Sequence, residues 1–372
     1  MKYVLIGPTY PYRGGISHYT TLLYQHLGAA HEVKLYSFKR QYPAFLFPGR
    51  TDKDPSRSLL RADCEYLLDP SNPLTWLNTF RRIKKDRPDA LILQWWVPYW
   101  ALPFASVAFL VRKFTPARVL FICHNVLPHE GSAIDRLSAK LALGQGHCFI
   151  VQSQRDWEDL KKLLPDAEAR KTALPLYDAF PSEVMEGALA KKRLGLEGPV
   201  MLFFGFVRRY KGLEYLIRAM PEVLRNIQAE LLIVGEFWED KGLYLKTIEE
   251  LGLRGNIEVV DRYIPNEEVG LYFSAADVVV LPYVDATQSA IVSLAYAFDK
   301  PVITTNVGGL PEVVCDGETG FIVPPRDSAA LAAAVVEFFR GGYASRMAAN
   351  VKVRKEALSW EGLVRLIEDF GP

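Results

Sequence analysis

The sequence lacks the cysteine spacing of a disulfide framework or a cysteine-based zinc site. Its 372 residues contain four scattered cysteines and no C-x-x-C pair. Such spacing is typical of reduced thiols in a cytosol. We therefore expect a cytoplasmic protein whose fold depends on an apolar core.

A predominant charge of one sign is also missing. The 44 basic and 43 acidic side chains leave a net charge of +1, so bulk charge does not indicate a nucleic-acid partner, and we expect none. A charged fraction of 23% and an apolar fraction of 49% are ordinary for a folded soluble protein. The length favours two domains over one.

Long uninterrupted apolar runs are scarce. Residues 1–8 contain too short a run for a signal peptide and predict a buried strand. Residues 90–111 carry no formal charge, but a glutamine and two prolines interrupt them, which favours a strand, a loop and a helix over a membrane span. The aromatic residues at 95–100 and the basic run at 81–85 leave open a peripheral contact with the inner face of a membrane. A solvated helix face is the alternative.

Short apolar runs alternate with helical patterns, which predicts an α/β fold with parallel sheets covered by helices. Each half of the chain has its own series of alternating strand and helix patterns. We therefore predict two Rossmann-like, doubly wound domains with a hinge between Leu174 and Pro199. Residues 39–69 show no periodic spacing of apolar residues, which predicts a long loop. The predicted strands are Tyr3–Ile6, Val33–Ser37, Ala90–Gln94, Arg118–Ile122, Cys148–Val151, Val200–Phe204, Glu230–Val234, Ile257–Val260, Val278–Leu281 and Val302–Thr304.

The segment 203–212 predicts a phosphate site. It follows one predicted strand and precedes a helix at Leu213–Arg225, whose apolar residues recur at helical spacing. Arg208 offers forked hydrogen bonds, Lys211 adds a point charge, and the free amides at the helix start favour an anion. Ligands of such sheets bind beyond the carboxyl ends of the strands. A solvated turn with ordinary surface charges is the alternative.

A second segment, 285–290, follows strand Val278–Leu281 and opens a helix at Ala290. Its small polar residues Thr287, Gln288 and Ser289 leave amides free and add side-chain donors for the same anion. Simple capping of the helix by Ser289 is the alternative.

In the first half, the pair Gly14-Gly15 follows a strand and allows a ligand to approach the backbone closely. This pair is not part of a G-x-G-x-x-G pattern, and no acidic residue ends the second strand, which disfavours an NAD(P)-dependent oxidoreductase. His124 stands at the carboxyl end of its strand, where a ligand contact and a buried structural histidine are both open.

The only D-x-D pair is Asp52-Lys53-Asp54, which does not follow an apolar strand, and we interpret it as loop surface. We therefore predict no metal and no cofactor. Protein cations, Arg208 and Lys211, would then neutralise a diphosphate leaving group.

Taken together, these segments resemble a retaining glycosyltransferase of family 4, which has the two-domain GT-B fold. Gly14-Gly15, His124 and the glycine-to-lysine spacing of 205–212 match the family pattern. Further matches are Leu232–Gly235, Lys300–Ile303, Gly308–Glu312, Asp316-Gly317, Thr319–Phe321 and Leu358–Trp360.

The resemblance implies two domains that face each other across a cleft. Residues 1–178 would form the acceptor-side domain and 179–355 the nucleotide-sugar-binding domain, with 356–372 as a helix that packs back on the first domain. Two departures stand out. Phe206 replaces an arginine of the family, and Ala286 and Leu294 replace its paired glutamates, which read the donor sugar and the ribose.

The implied reaction is metal-independent transfer of a sugar from a nucleotide diphosphate sugar to an acceptor hydroxyl, with retention of configuration. The acceptor would be a glycan, a lipid-linked molecule or a small molecule. Epimerisation of a nucleotide sugar, using Glu236 and Glu312, and a non-catalytic sugar-nucleotide-binding or scaffold protein are the alternatives. The implied sites are catalytic His124, Arg208 and Lys211; diphosphate-binding Gly15, Arg208, Lys211, Thr287, Gln288, Ser289 and Ala290; Tyr263 and Ile264 at the base or ribose; and Gly14, His18 and Trp96 at the acceptor.

Overall fold

A computed structural model describes residues 1–42, 49–57, 60–128, 131–178, 180 and 185–371. The chain divides into two compact units, and each contains a parallel sheet with helices, as predicted for an α/β protein with two Rossmann-like domains. Part of the predicted hinge, residues 179 and 181–184, lies outside the described residues. The first unit comprises Met1–Asp54, Leu59–Pro175 and Ser359–Pro372, and the second Pro55–Ser58 and Leu176–Leu358.

The first unit contains a seven-stranded parallel sheet. Its strands are β1 (Lys2–Ile6), β2 (Glu32–Phe38), β3 (Cys64–Leu68), β4 (Ala90–Trp95), β5 (Arg118–Cys123), β6 (Cys148–Val151) and β7 (Glu168–Lys171). They lie in the order β3-β2-β1-β4-β5-β6-β7. Tyr3 is in register with Val33 on one side and with Ala90 on the other. The order therefore reverses between β1 and β4, which makes their carboxyl ends the expected place for a ligand.

Helices cover this sheet because each presents an apolar stripe to it. They are α1 (Gly15–Gly28), α2 (Pro73–Asp86), α3 (Ala101–Phe114), α4 (Ala133–Leu143) and α5 (Gln154–Leu163). Side chains of β1, β4, β5, α3 and α4 form one continuous core.

The second unit contains a six-stranded parallel sheet. Its strands are β8 (Val200–Phe204), β9 (Glu230–Val234), β10 (Ile257–Val260), β11 (Val278–Leu281), β12 (Val302–Thr305) and β13 (Gly320–Val323), in the order β10-β9-β8-β11-β12-β13. Here the order reverses between β8 and β11. The helices are α6 (Gly187–Leu194), α7 (Leu213–Asn226), α8 (Lys241–Glu250), α9 (Asn266–Ala275), α10 (Ala290–Ala297), α11 (Leu310–Val313), α12 (Ser328–Arg340) and α13 (Tyr343–Arg354).

Helix α7 fixes the direction of the loop that precedes it. Leu213, Leu216, Ile217 and Met220 are fully buried against the second sheet, as their spacing predicts. Each buried aliphatic side chain contributes roughly 1.5–3 kcal/mol. The helix start is thereby held at the carboxyl end of β8.

Three strands differ from the sequence prediction. Residues 39–69 are not one loop, because β3 forms within them, and β7 and β13 were not predicted either. All three are edge strands, which pair on one side only. Exposed polar side chains interrupt the apolar runs of β3 and β7, so these two strands lack the pattern by which central strands are recognised. The strand β13, G-F-I-V, is apolar but only four residues long. Residues 43–48 and 58–59 of that segment lie outside the described residues.

The uncharged stretch 90–111 folds as predicted into a strand, a short 3-10 turn at Pro98–Trp100 and a helix. None of the helices within the described ranges combines the length and the apolar character that crossing a bilayer requires. Trp95 and Trp100 are fully buried in the first core. They therefore cannot supply the lipid contact that the aromatic run left open.

The last helix, α14 (Trp360–Asp369), returns to the first unit and packs on α1. Trp360 is 2% exposed, stacks on His26 at 5.2 Å and lies 5.0 Å from Tyr19. At the other end of α14, Glu368 accepts a 2.7 Å hydrogen bond from His31 Nε2. One aromatic side chain thus anchors the end of the chain.

We predict that Trp360→Ala destabilises the first unit by about 3–5 kcal/mol, because it leaves a cavity between α14 and α1. Urea denaturation followed by circular dichroism measures the change. Val353→Ala, at a side chain that is 72% exposed, is the control and should change the free energy of unfolding by less than about 0.5 kcal/mol. Equal midpoints for the two variants would contradict the anchoring role of Trp360.

Candidate functional site

The two predicted phosphate-binding segments meet in the second unit. They follow β8 and β11, the strands between which the sheet order reverses. The carbonyl oxygen of Tyr210 accepts hydrogen bonds from the amides of Val284 at 2.7 Å and Asp285 at 3.4 Å. The structure thus brings together the groups that the sequence separates.

Glycines allow these loops to touch. Gly212 has a φ of 65°, and a Cβ there would lie 2.0 Å from the carbonyl oxygen of Pro282. Gly308, after β12, has a φ of 51°, and its Cβ would lie 1.8 Å from the carbonyl oxygen of Ala286. The amide of Gly309 also donates to the carbonyl of Thr287 at 2.8 Å. Three loops therefore pack backbone to backbone, which no side chain at Gly212 or Gly308 would permit.

Lys211 lies inside this junction. Its side chain is 8% exposed, and no carboxylate within the described part of the chain pairs with it. Its Nζ lies 5.6 Å from the ring centre of Tyr283 and would be 3.1 Å from a Cβ at Gly205. Burial, reinforced by the neighbouring Arg208, lowers the pKa of Lys211 from 10.5 to about 7. The site therefore holds a buried, uncompensated cation, which an anion would stabilise.

Arg208 stands at the exposed rim of the same loop. Its guanidinium carbon lies 5.3 Å from the ring centre of Tyr210 and 5.7 Å from that of Trp238. The guanidinium is held by these two aromatic rings, and no carboxylate of the described residues pairs with it. A guanidinium packed in this way keeps its forked donors available for an oxyanion.

The start of α10 is capped by one of its own side chains. Ser289 caps the helix by accepting a 3.2 Å hydrogen bond from the amide of Ile291, and its hydroxyl lies 3.4 Å from that of Tyr283. Thr287 and Ser289 are 4% and 6% exposed, and Gln288 and Ala290 are partly exposed. The capping function of Ser289 is thus present, and a ligand contact by these four residues stays a prediction.

The two positions at which the resemblance implies glutamates, 286 and 294, carry apolar residues and are buried. Ala286 is 2% exposed and Leu294, on α10, is 7% exposed. The carboxylates that the family places there have no substitute at these two positions.

An aromatic row borders residues 205–212 between β8 and α7, which we call the basic loop. The ring of Phe206 stacks on Trp238 at 4.2 Å and lies 6.1 Å from Tyr263. Tyr263 and the buried Ile264 were predicted near the nucleotide, whereas Trp238 was missed. Trp238 lies in the loop after β9, the neighbour of β8, so the order of the strands was the signal that would have found it.

In the first unit, His124 is 8% exposed at the carboxyl end of β5. Its Nε2 donates to Gln94 Oε1 at 2.7 Å, and Tyr19 packs edge-on at 4.6 Å. Burial lowers the pKa of His124 from 6.5 to about 4. At neutral pH this residue is therefore an uncharged hydrogen-bonding group beyond β5, the strand next to β4. Gln94, which holds it, was missed by the sequence analysis.

The glycine pair opens α1. Gly14, with a φ of 109°, precedes the helix without a side-chain cap, and a Cβ on it would meet nothing within 4 Å. Gly15 is the first helical residue and is partly exposed. This backbone has room for a ligand beside it.

His18, on α1, pairs with Asp54 at 3.5 Å, and the Asp54 side chain is 4% exposed. The interpretation of Asp52-Lys53-Asp54 as loop surface is therefore wrong for Asp54. Backbone hydrogen bonds from Arg13 to Asp52 and from Asp54 to Pro11 place this segment beside residues 11–13 and bury the carboxylate. Within the described ranges, no group of three or more His, Cys, Asp or Glu side chains is arranged to hold a metal ion.

Trp96, predicted at the acceptor, is half-buried in an aromatic cluster. Its Nε1 donates to the hydroxyl of Tyr42 at 2.8 Å, and its ring lies 5.9 Å from Phe38 and 6.1 Å from Trp100. The cluster holds one edge of the indole in place.

Comparison with known proteins matches residues 198–340 to the family model of the glycosyl transferases group 1. A D-inositol 3-phosphate glycosyltransferase of Nocardioides sp. is 30% identical over 233 residues, which are 54% of this chain and 50% of that protein, so the match spans about half of the relative's length. A GDP-mannose-dependent alpha-(1-6)-phosphatidylinositol monomannoside mannosyltransferase of Mycolicibacterium smegmatis is 26% identical over 362 residues, 87% of this chain and 85% of that protein.

Two solved structures share the fold over nearly the whole chain. Sucrose-phosphate synthase from Thermosynechococcus elongatus has a TM-score of 0.74 at 21% identity and covers 99% of this chain and 97% of its own. Anabaena Alr3699/HepE in complex with UDP and glucose has a TM-score of 0.75 at 16% identity, with 99% and 98% covered. Residues 198–340 are thus a glycosyl transferases group 1 domain, in a chain that has the GT-B fold of the glycosyltransferases.

Proposed function

We propose that this protein is a glycosyltransferase that moves a sugar from a nucleotide diphosphate sugar to an acceptor hydroxyl. The observation that carries the proposal is a pair of cations, Lys211 and Arg208, at the junction of the loops after β8 and β11, with which no carboxylate of the described residues pairs. The diphosphate of a nucleotide sugar is an anion that would stabilise these two cations.

The chemistry follows from where charge develops. As the bond between sugar and phosphate breaks, negative charge grows on the leaving diphosphate. Lys211 interacts with that charge in a poorly solvated place, where electrostatic attraction is stronger than in water. Arg208 adds forked hydrogen bonds from the rim. Since these two cations supply the positive charge themselves, we propose that the reaction needs no metal ion.

The aromatic row supports binding of a nucleoside. Phe206, Trp238 and Tyr263 offer flat faces beside the basic loop, and such faces stack on any nucleobase. The similar structure of Anabaena Alr3699/HepE contains UDP and glucose, which supports the same class of donor here.

We assign the donor sugar to His124 and the diphosphate also to Gly15, Thr287, Gln288, Ser289 and Ala290. An uncharged His124 exchanges hydrogen bonds with sugar hydroxyls without attracting the phosphates itself. The acceptor, a glycan, a lipid-linked molecule or a small molecule, is assigned to Gly14, His18 and Trp96. We further propose that the anomeric configuration is retained and that the protein acts in the cytoplasm.

A second candidate is a protein that binds nucleotide sugars without turning them over. Ala286 and Leu294 favour it, because both positions are buried and lack a carboxylate. Donor binding with neither transfer nor hydrolysis would identify this function.

The decisive experiment is a thermal-shift screen of nucleotide sugars followed by product analysis with the donor that binds. Bound donor raises the unfolding temperature, because it stabilises only the folded state. Transfer with retained configuration supports the enzyme, and binding alone supports the second candidate. Failure of every nucleotide sugar to bind contradicts both.

We predict that Arg208→Ala and Lys211→Ala each lower turnover at saturating donor by roughly 10- to 100-fold, because each removes charge-assisted stabilisation of the leaving group. Steady-state kinetics of sugar transfer measures the loss. The exposed Arg218→Ala and Lys246→Ala are matched controls on α7 and α8 and should turn over normally. Unchanged turnover in both site variants would refute the assignment.

We predict that donor affinity falls as the pH rises. Lys211 loses its proton with a pKa of about 7, so the dissociation constant should climb by up to about tenfold per pH unit above that value. A nucleotide sugar is the right probe for calorimetry from about pH 6 to about pH 9, because its doubly substituted diphosphate keeps a constant charge there. In Lys211→Met the affinity should be weak and flat with pH. A flat profile in the unmodified protein argues against the buried cation.

We predict that Gly212→Ala weakens donor binding at least about tenfold, because its Cβ would push the two loops apart. Gly252→Ala is a matched control, since Gly252 has a φ of 68° and a Cβ there would meet nothing within 4 Å. Both variants carry the same backbone cost, so calorimetry isolates the effect of the loop contact. Equal donor affinities for the two variants would show that the contact is dispensable.

A further inference from the structure

The outer surface of helices α2, α3 and α4, which we call the basic helical face, is rich in positive charge. Its exposed cations are Arg81, Lys84 and Lys85 on α2, Arg112 and Lys113 on α3, and Arg136 and Lys140 on α4. The whole chain carries a net charge of only +1. Positive charge is therefore concentrated here.

The two acidic residues of these helices do not offset that charge. Asp86 has an 8% exposed side chain that pairs with Lys34 at 2.9 Å, outside the three helices. Asp135 is engaged in a capping box with Ser132 at the start of α4. Neither carboxylate neutralises the exposed cations.

The same face exposes large apolar side chains. On α4, Ile134, Leu137 and Leu141 recur at positions i, i+3 and i+7 and are 76%, 71% and 46% exposed. That stripe points away from the buried face of the helix, which is formed by Ala139, Ala142 and Leu143. An exposed apolar stripe of this length indicates a surface that contacts another apolar surface, such as a protein or a membrane.

Helix α3 extends the apolar surface. Leu102, Phe109 and Phe114 are 61%, 47% and 49% exposed, and α3 packs against both α2 and α4. Lys113 Nζ lies 5.6 Å from the ring centre of Phe109 and 5.5 Å from that of Phe114. Arg112 donates to the carbonyl of Gly144, just beyond α4, at 3.3 Å. Cations and apolar groups are thus interleaved on neighbouring helices.

We infer that the basic helical face docks on the surface of an anionic lipid bilayer. Apolar side chains of this kind enter the headgroup boundary, while lysine and arginine keep their stems in it and their charges at the phosphates. A second copy of the chain fits less well, because an isologous contact brings the same cations together. The surface includes Arg81, Lys84 and Lys85 of the basic run 81–85, and α3 directly follows the aromatic run 95–100, of which Trp95 and Trp100 are buried. The inference does not rest on the proposed reaction.

The test is flotation of the full chain with vesicles of phosphatidylcholine alone or with about one-third phosphatidylglycerol. We expect binding to the anionic vesicles at low salt and loss of binding as salt rises, since screening weakens surface attraction. Ile134→Gln/Leu137→Gln/Leu141→Gln and Arg112→Gln/Lys113→Gln/Arg136→Gln/Lys140→Gln should each lower the partition coefficient at least about tenfold. All seven positions are exposed, so circular dichroism should be unchanged.

Matched controls lie on the second unit. Leu243→Gln/Leu245→Gln/Val353→Gln removes equally exposed apolar groups, and Lys192→Gln/Arg193→Gln/Lys246→Gln/Arg254→Gln removes four exposed cations. Both should bind vesicles as the unmodified chain does. The inference is overturned if the chain does not float with anionic vesicles, if the controls lose binding equally, or if the stripe variant abolishes a dimer in a chain that ignores vesicles.

Discussion

The backbone contact between the loops after β8 and β11 is the constraint on which the candidate site depends. The carbonyl of Tyr210 joins the two loops, and Gly212 lets them approach to a distance at which no Cβ would fit. Because the loops touch, Lys211 is enclosed rather than solvated. The properties that suggest a function for this residue, its burial and its lowered pKa, are consequences of that contact.

Enclosing Lys211 opposes folding, since no carboxylate of the described residues offsets the desolvation of its charged form. The apolar packing of α7 behind the loop offsets this cost. In the first unit, beyond β5, burial lowers the pKa of His124, which is therefore uncharged and is hydrogen-bonded to Gln94. The second unit thus encloses a cation, whereas the first unit holds an uncharged histidine.

The central strands of both described sheets were predictable, whereas of the edge strands only β10 was predicted and β3, β7 and β13 were missed. Strands such as β8 and β11 are buried on both faces, so their apolar runs are continuous and their limits follow from the sequence. The edge strand β7, with the sequence E-A-R-K, is largely exposed and looks like a loop. Similarly, nothing near Asp54 in the sequence indicates burial. Its carboxylate is covered because residues 52–54 bind residues 11–13 and meet His18.

The sequence by itself determined the α/β class, the two sheets and the residue types that suit a phosphate, because periodicity and glycine placement are local properties. Only the tertiary structure decided that Lys211 is buried without a carboxylate from the described residues, that Trp238 joins Phe206, and that the apolar stripe of α4 faces outward among cations. These facts depend on which strands become neighbours and which helix faces remain uncovered. Such pairings join residues far apart in the chain, so no local pattern records them.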